Sequence, residues 1–226
     1  MPVSNSSIDT SNIVTISTNE SVAAPTAAVW YLKRRWALPA GARAVPLSAW
    51  AVVTTAGSRT LVAIINNLGN LNLSTNVFTA TNSVASPYHY SRLFGVVTTV
   101  MSATADTITP TYTDELGNSQ ATAGVAFASA SPVGNAYEFA LVAAAGPQLD
   151  SGVRAVTNAT DSAAPTGVVT FFGVNPLLET IGVASAVDFA VLGAGQLNTN
   201  EEIAIFQVQA ATTAQQRGAG VTLALR

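Results

Sequence analysis

Read from its residues alone, the chain predicts an all-β fold, an antiparallel β-sandwich of jelly-roll type with an extended N-terminal arm. Three observations lead there. From about Val29 onward, β-branched segments alternate with turn clusters at intervals near the roughly 8–12 residues of antiparallel sandwiches and barrels. In Thr109–Ala123, TPTYTDELGNSQATA, two Thr-rich alternating segments flank the turn formers Asp114-Glu115-Leu116-Gly117-Asn118, which is how a β-hairpin reads. Runs with a helical apolar period are scarce.

Residues 1–21 are polar, rich in Ser, Thr and Asn, with one apolar interruption at Ile13-Val14-Thr15-Ile16. They read as an arm carrying one strand, and 22–226 as a single large sandwich domain. So polar a segment builds no core, and its order must come from adding that strand to an exposed edge of the body or of a neighbouring chain. Strands follow over Val29–Trp36, Pro46–Thr55, Thr60–Ile65, Asn76–Ala80, Arg92–Val100, Thr107–Thr113 and Thr122–Ala128. Tyr137–Ala143 is read as a strand rather than a helix because Gly146-Pro147 ends the apolar run so soon. Val153–Thr157, Gly167–Phe172, Ala186–Val191 and Glu202–Ala210 come next, and Val221, Leu223 and Leu225 form a period-two stripe that makes the last strand part of the core.

Turn chemistry separates these segments. Ala56-Gly57-Ser58 reads as a tight hairpin between Val53 and Leu61, and Asn66–Asn70 supplies residues that tolerate left-handed backbone. Short helix is expected at Pro25–Leu32, with Pro at a helix-start position, and as a single turn at Asn175–Glu179. Between Glu202 and Ala210, Ile203 and Ile205 share one face while Phe206 and Val208 share the other. That phase change requires a β-bulge near Ile205-Phe206 or a strand buried on both sides.

The hairpin resembles one that recurs in virion structural proteins of tailed bacteriophages, where a Tyr-Thr pair, a polar turn with Gly and a Thr-rich return strand occur together. Gly152-Val153-Arg154-Ala155-Val156 resembles the same family's Gly-Val-Arg-x-Val segment, Thr166–Phe172 with Asn175-Pro176-Leu177 its next strand and exit, and His89–Phe94 the strand before the hairpin. The likeness covers roughly residues 88–180. It implies a non-enzymatic particle protein, made in the host cytoplasm and incorporated into the virion. A capsid decoration or cement protein that bridges subunits of the major capsid protein is the first expectation, and a tail, collar or fibre-associated component the second. The resemblance also implies a homo-oligomer, a trimer before other states, because decoration in such phages often sits on three-fold axes. A carbohydrate-binding sandwich for host attachment stands as a third reading, from a different class.

Composition points the same way independently. Charged residues make up 9% of the 226, against about 25% in ordinary globular chains. With 49% hydrophobic residues, much of the surface is expected to be apolar or merely neutral, as assembly contacts need. The chain has no Cys and a single His, which excludes disulfides, thiolate nucleophiles, iron–sulfur clusters and imidazole-rich metal sites. Oxygen-only calcium sites survive that filter, since Asp106, Asp114, Glu115, Asp150, Asp161 and Asp188 carry carboxylates. No Asp-x-Asp-x-Asp-Gly loop joins them, so no metal and no cofactor is predicted. The first twenty residues lack a basic region and an apolar core, and no apolar run of about 18 residues occurs, so neither a secretory signal nor a membrane-spanning helix is expected.

Catalytic patterns are thin. His89 in Ser86-Pro87-Tyr88-His89-Tyr90-Ser91 invites a Ser-His-Asp reading, but no Gly-x-Ser-x-Gly elbow is present, and a turn or interface role fits better. The pairs Asp114-Glu115 and Glu201-Glu202 point to opposite faces of a strand, so neither forms a glycosidase pair by itself. Gly193-Ala194-Gly195 and Gly218-Ala219-Gly220 lack the third glycine of a dinucleotide fingerprint and read as loops.

The one basic cluster is Trp30-Tyr31-Leu32-Lys33-Arg34-Arg35-Trp36. Basic side chains interleaved with aromatics suit a phosphate backbone, but a net charge of −3 and the lack of a second basic patch favour docking on an acidic protein surface, and no nucleic acid is expected as partner. The candidate interface residues are therefore Ile13, Val14 and Ile16 of the arm, with Trp30, Tyr31, Lys33, Arg34, Arg35 and Trp36 just inside the body.

Overall fold

The computed structural model describes residues 13–22, 29–38, 44–53, 58–142, 152–181, 186–192, 197–208 and 215–225. The fold is all-β and antiparallel, as predicted. In chain order its strands are β1 (Ile13–Val22), β2 (Trp30–Ala37), β3 (Ala44–Val53), β4 (Arg59–Asn72) and β5 (Val77–Ala80). Next come β6 (Arg92–Thr99), β7 (Asp106–Asp114), β8 (Ser119–Ala121), β9 (Val125–Phe127) and β10 (Asn135–Phe139). The series ends with β11 (Val153–Asp161), β12 (Val168–Ile181), β13 (Ala186–Val191), β14 (Glu201–Val208) and β15 (Gln215–Leu225).

A closed barrel stands at the centre. Strands β12, β6, β10, β2, β14 and β4 pair in that order, and β12 returns to pair with β4 along its length, so these six have no free edge within the ring. Alternate residues fill the interior, among them Trp30, Leu61, Phe94, Phe172 and Phe206. A four-stranded sheet, β1-β15-β3-β13, covers one outer flank, where Ile203 and Ile205 meet Ala49, Ala51, Val221 and Leu223. A smaller sheet, β11-β7-β8 with β9 also on β7, covers another, where Val169 and Phe171 meet Ile108, Tyr112 and Val156. The sandwich layers are thus two sheets packed on a barrel.

That arrangement settles β14. Ile203 and Ile205 face the outer sheet while Ala204, Phe206 and Val208 face the barrel interior, so the strand is buried on both sides. The predicted bulge is present as well, but on the partner: Ile205 opposes Arg34 and Phe206 opposes Leu32, leaving Lys33 as the extra residue of β2.

Several boundaries differ from the sequence reading. Asn66–Asn70 is no turn; it lies inside β4, where Leu68 is the extra residue between the pairs Phe172↔Asn67 and Phe171↔Gly69. The turn chemistry shapes a bulge instead, with the Gly69 N–H donating to Asn67 Oδ1 at 3.0 Å. Glycine leaves room there for the Phe78 ring, which would have to shift to admit a Cβ that would lie 2.2 Å from it. The predicted helical turn at Asn175–Glu179 is strand with a bulge at Leu177. Pro176 is tolerated because the pairing of β12 with β6 ends at Val174, so the missing N–H faces no ladder on that side. Of Pro25–Leu32, residues 30–32 are strand and 25–28 lie outside the described residues.

No hairpin joins Val53 to Leu61, because β3 belongs to the outer sheet and β4 to the barrel; residues 54–57 lie outside the described ones. Gly218-Ala219-Gly220 is not a loop but the middle of β15, where Gly220 opposes Trp50 of β3. The expected Thr122–Ala128 strand is the short β9, with β8 ending before it at Ala121, and β10 stops at Phe139. Gly193–Gly195 and residues 143–150 lie outside the described residues.

Candidate functional site

The arm strand is ordered by main-chain pairing. Ile13, Val14 and Ile16 oppose Ala224, Leu223 and Val221, within a run of ten antiparallel pairs that ends at Val22↔Gln215. Among the described residues β1 is the outermost strand of its sheet, paired with β15 on one side only.

The basic-aromatic cluster lies on β2, whose residues alternate between barrel interior and exterior until the Lys33 bulge resets the phase. Trp30 is buried and meets Phe94 edge-on at 6.0 Å. Tyr31 is half-buried, with the Lys33 ammonium 5.2 Å from its ring centroid. Trp36 packs against the outer-sheet core. Arg35 lies over the Phe172 ring at 5.4 Å and pairs through Nε with Glu202 Oε2 at 2.5 Å. Arg34 is exposed. The sequence cluster is therefore not one patch: Trp30 is buried in the barrel, and of the two exposed arginines Arg35 is held by Glu202 and the Phe172 ring.

The Arg35–Glu202 pair stands apart from a second charge cluster, which is built around Arg92. Arg92, one inward position along from Phe94, donates to Glu138 through Nε and Nη2 at 2.6 and 2.7 Å and to Glu179 through Nη1 at 2.8 Å. Its guanidinium also lies 5.7 Å from the Trp30 centroid and 5.3 Å from that of Phe94. Arg59 approaches Glu179 at 4.0 Å. Two arginines and two glutamates balance there. Burial works against the charge of Arg92, but the two carboxylates outweigh it and hold its pKa above the ordinary value. For Glu202 burial dominates and raises the pKa, with Arg35 opposing. Glu138 and Glu179 escape the sequence reading because they are far apart in the chain, and Glu202 enters it only as half of the adjacent pair Glu201-Glu202; the available signal is a charge at the inward position of an otherwise apolar strand, as in Tyr137-Glu138-Phe139.

A second polar cluster lies where the segment before β6 meets the start of β14. Tyr88 and Tyr90 both donate to Glu201 Oε1, at 2.6 and 2.9 Å, and the Asn198 N–H donates to Oε2 at 2.6 Å. Burial first, then the Glu201 carboxylate, pushes both phenols well above their ordinary pKa, so they remain donors. Beside them is a pocket of about 320 Å³ lined chiefly by Asn66, Ser83, Tyr88, Asn198, Thr199 and Asn200. His89 lies nearby with Nε2 3.3 Å from Glu115 Oε2 and Nδ1 3.2 Å from the Pro87 carbonyl. Its neighbours are a carboxylate and a carbonyl, not a serine hydroxyl. Among the described residues no group of three or more His, Asp or Glu side chains is placed to hold a metal ion, and no helix is long and apolar enough to cross a membrane.

No protein-family model matches the sequence, and no curated protein matches it. Among solved structures, the chain is similar to the D431N mutant of the VP2 protein of infectious bursal disease virus in derived T=1 particles, at 9% identity over 94% of this chain and 37% of that one, with a TM-score of 0.14. It is also similar to the VP2 subviral particle of the same virus, at 11% identity over 93% of this chain and 40% of that one, with a TM-score of 0.09. The chain thus spans well under half the length of those proteins, and likenesses this faint bear on neither its fold nor its function.

Proposed function

We propose that the chain is a non-enzymatic structural component of a virion, acting as a homo-oligomer, with capsid decoration or cementing as its role. The observation that supports this reading best is β1. A polar N-terminal segment joined to the body through one line of main-chain pairing at a sheet edge is the geometry of an arm that can tether a neighbouring subunit. The low charge content fits with it, since three of the nine basic residues and three of the twelve acidic ones pair with one another within the chain, leaving a surface with few charges to keep copies apart. A tail, collar or fibre-associated position is the alternative location for the same architecture. Negative-stain microscopy of particles with antibody raised to the chain tests the proposal: label on heads supports it, label on tails moves the protein to the alternative, and unlabelled particles overturn it.

The reading as a carbohydrate-binding module draws on the pocket beside Tyr88, whose amides and hydroxyls would suit sugar hydroxyls. Binding of the isolated chain on a glycan array, abolished by Asn200→Ala, would favour it.

A further inference from the structure

At the far end of the small sheet, two carboxylates are buried together without the partners that buried charge requires. Asp106 begins β7 and faces the core, being only 3% exposed. Its Oδ1 accepts from Ser162 N, Ser162 Oγ and Ala163 N at 2.9, 2.9 and 3.0 Å, yet Oδ2 has no hydrogen-bond partner. Asp161 ends β11 and opposes Ile108, so it lies on the face of β7 that Asp106 also occupies, one diagonal step away. Both of its carboxylate oxygens are shut off from solvent, and neither makes a hydrogen bond of acceptable geometry. Burial first, and then the charge of Asp106, raise the Asp161 pKa, while the N–H groups of Asp161 and Ala164 offset this in part. Neither aspartate belongs to an ion pair among the described residues.

A buried Asp106 oxygen with no donor, beside an Asp161 carboxyl approached only by the N–H groups of Asp161 and Ala164, sets like charges side by side in a costly arrangement. It is relieved by a shared proton or by a cation. Two neutral oxygens flank the pair: Ser162 Oγ, bonded to Asp106, and Asn76 Oδ1, which accepts the Asp161 N–H at 3.2 Å. We propose that Asp106 and Asp161 hold a hard divalent cation of the calcium type, completed by neutral oxygens such as those of Ser162 and Asn76, which clamps the start of β7 to the end of β11. Calcium is preferred over magnesium because an irregular set of carboxylates, hydroxyl and amide oxygens meets its flexible coordination better than a strict octahedron.

The test uses the full chain stripped of metal and titrated with CaCl2, then MgCl2, at neutral pH and constant ionic strength. Saturable binding of about one calcium per chain, with affinity between roughly 10 µM and 1 mM and a melting temperature raised by several degrees, is expected. Amide NMR shifts in the titration should centre on residues 106–107 and 161–164. Asp161→Asn should abolish both the binding and the thermal shift. Absence of saturable binding up to about 5 mM calcium overturns the proposal, and a higher melting temperature of Asp161→Asn in that case assigns the pair to a shared proton. Shifts centred elsewhere, or full binding by a folded Asp161→Asn variant, also overturn it. The NMR titration on the unmodified chain locates the site even where the variant fails to fold.

Discussion

The Tyr90 hydroxyl donates to Glu201 Oε1 at 2.9 Å across 111 residues of chain, with both side chains buried. Tyr90 also makes an isolated antiparallel bridge to Val153 of β11, so this bond joins the small sheet to the barrel strand β14. A buried carboxylate with three donors is a demanding arrangement, because its loss orphans every donor at once. Glu201→Ala is expected to destabilise the fold by about 3 kcal/mol and Tyr90→Phe by about 1–2 kcal/mol. Urea denaturation of the two single variants and the double variant checks this: the double variant should fall well short of the sum.

Gly117 occupies the turn between β7 and β8 with φ of +95°, in agreement with the hairpin read from the sequence. A Cβ there would meet open space, the nearest atom being Arg154 Nη1 at 3.9 Å. Gly117→Val therefore isolates the backbone term and should cost about 1 kcal/mol or more, while Gly117→Asn should cost much less. Equal melting temperatures for the two variants would contradict the assignment.

Asp114 caps the same turn, accepting from Asn118 N at 2.7 Å, Asn118 Nδ2 at 3.1 Å and Gln120 Nε2 at 3.2 Å. Burial pulls its pKa upward, but these donors and the Leu116 N–H outweigh it and leave the folded value below the ordinary 3.8. A depressed carboxylate contributes stability that is complete above the unfolded pKa and is lost as the pH falls through the folded one. The wild type should accordingly lose more stability than Asp114→Asn between about pH 6 and pH 3. Chemical denaturation at the two pH values measures the difference, and parallel losses would contradict the capping role.

How far the sequence reveals this molecule varies by element. The period-two face of β7 is legible from end to end, since Asp106, Ile108, Pro110, Tyr112 and Asp114 are all buried and the Thr residues between them are not. The apolar stripe of β15 and the two-sided burial of β14 are legible for the same reason. Barrel closure is not, because the pairing of β12 with β4 joins segments about a hundred residues apart and leaves no local trace. Bulges mislead most: Asn66–Asn70 and Asn175–Glu179 carry turn and breaker residues, and tertiary pairing turned each into an irregularity within a long strand. The candidate site was half legible. β1 is where Ile13, Val14 and Ile16 place it, whereas the partition of Trp30, Arg34 and Arg35 depends on the Lys33 bulge, which no local pattern announces.

That partition separates two charge reversals. Arg35→Glu sets a carboxylate against Glu202 and, with the pair partly exposed, should destabilise the fold by about 1 kcal/mol. Arg34→Glu, on an exposed side chain, should change stability by less than about 0.5 kcal/mol while still weakening docking on an acidic partner. Thermal melts of both variants check the first statement, and wild-type stability of Arg35→Glu would contradict it.

The assembly role is tested most directly by the copy number of the chain in gradient-purified particles, quantified by mass spectrometry against the shell subunit for the wild type and for a variant lacking residues 2–20. The barrel and the small sheet do not pair with β1, so the truncated chain should fold. A fixed wild-type ratio and clear depletion of the truncated chain are expected. A wild-type chain absent from particles, or a truncated chain incorporated at the wild-type copy number, would contradict it.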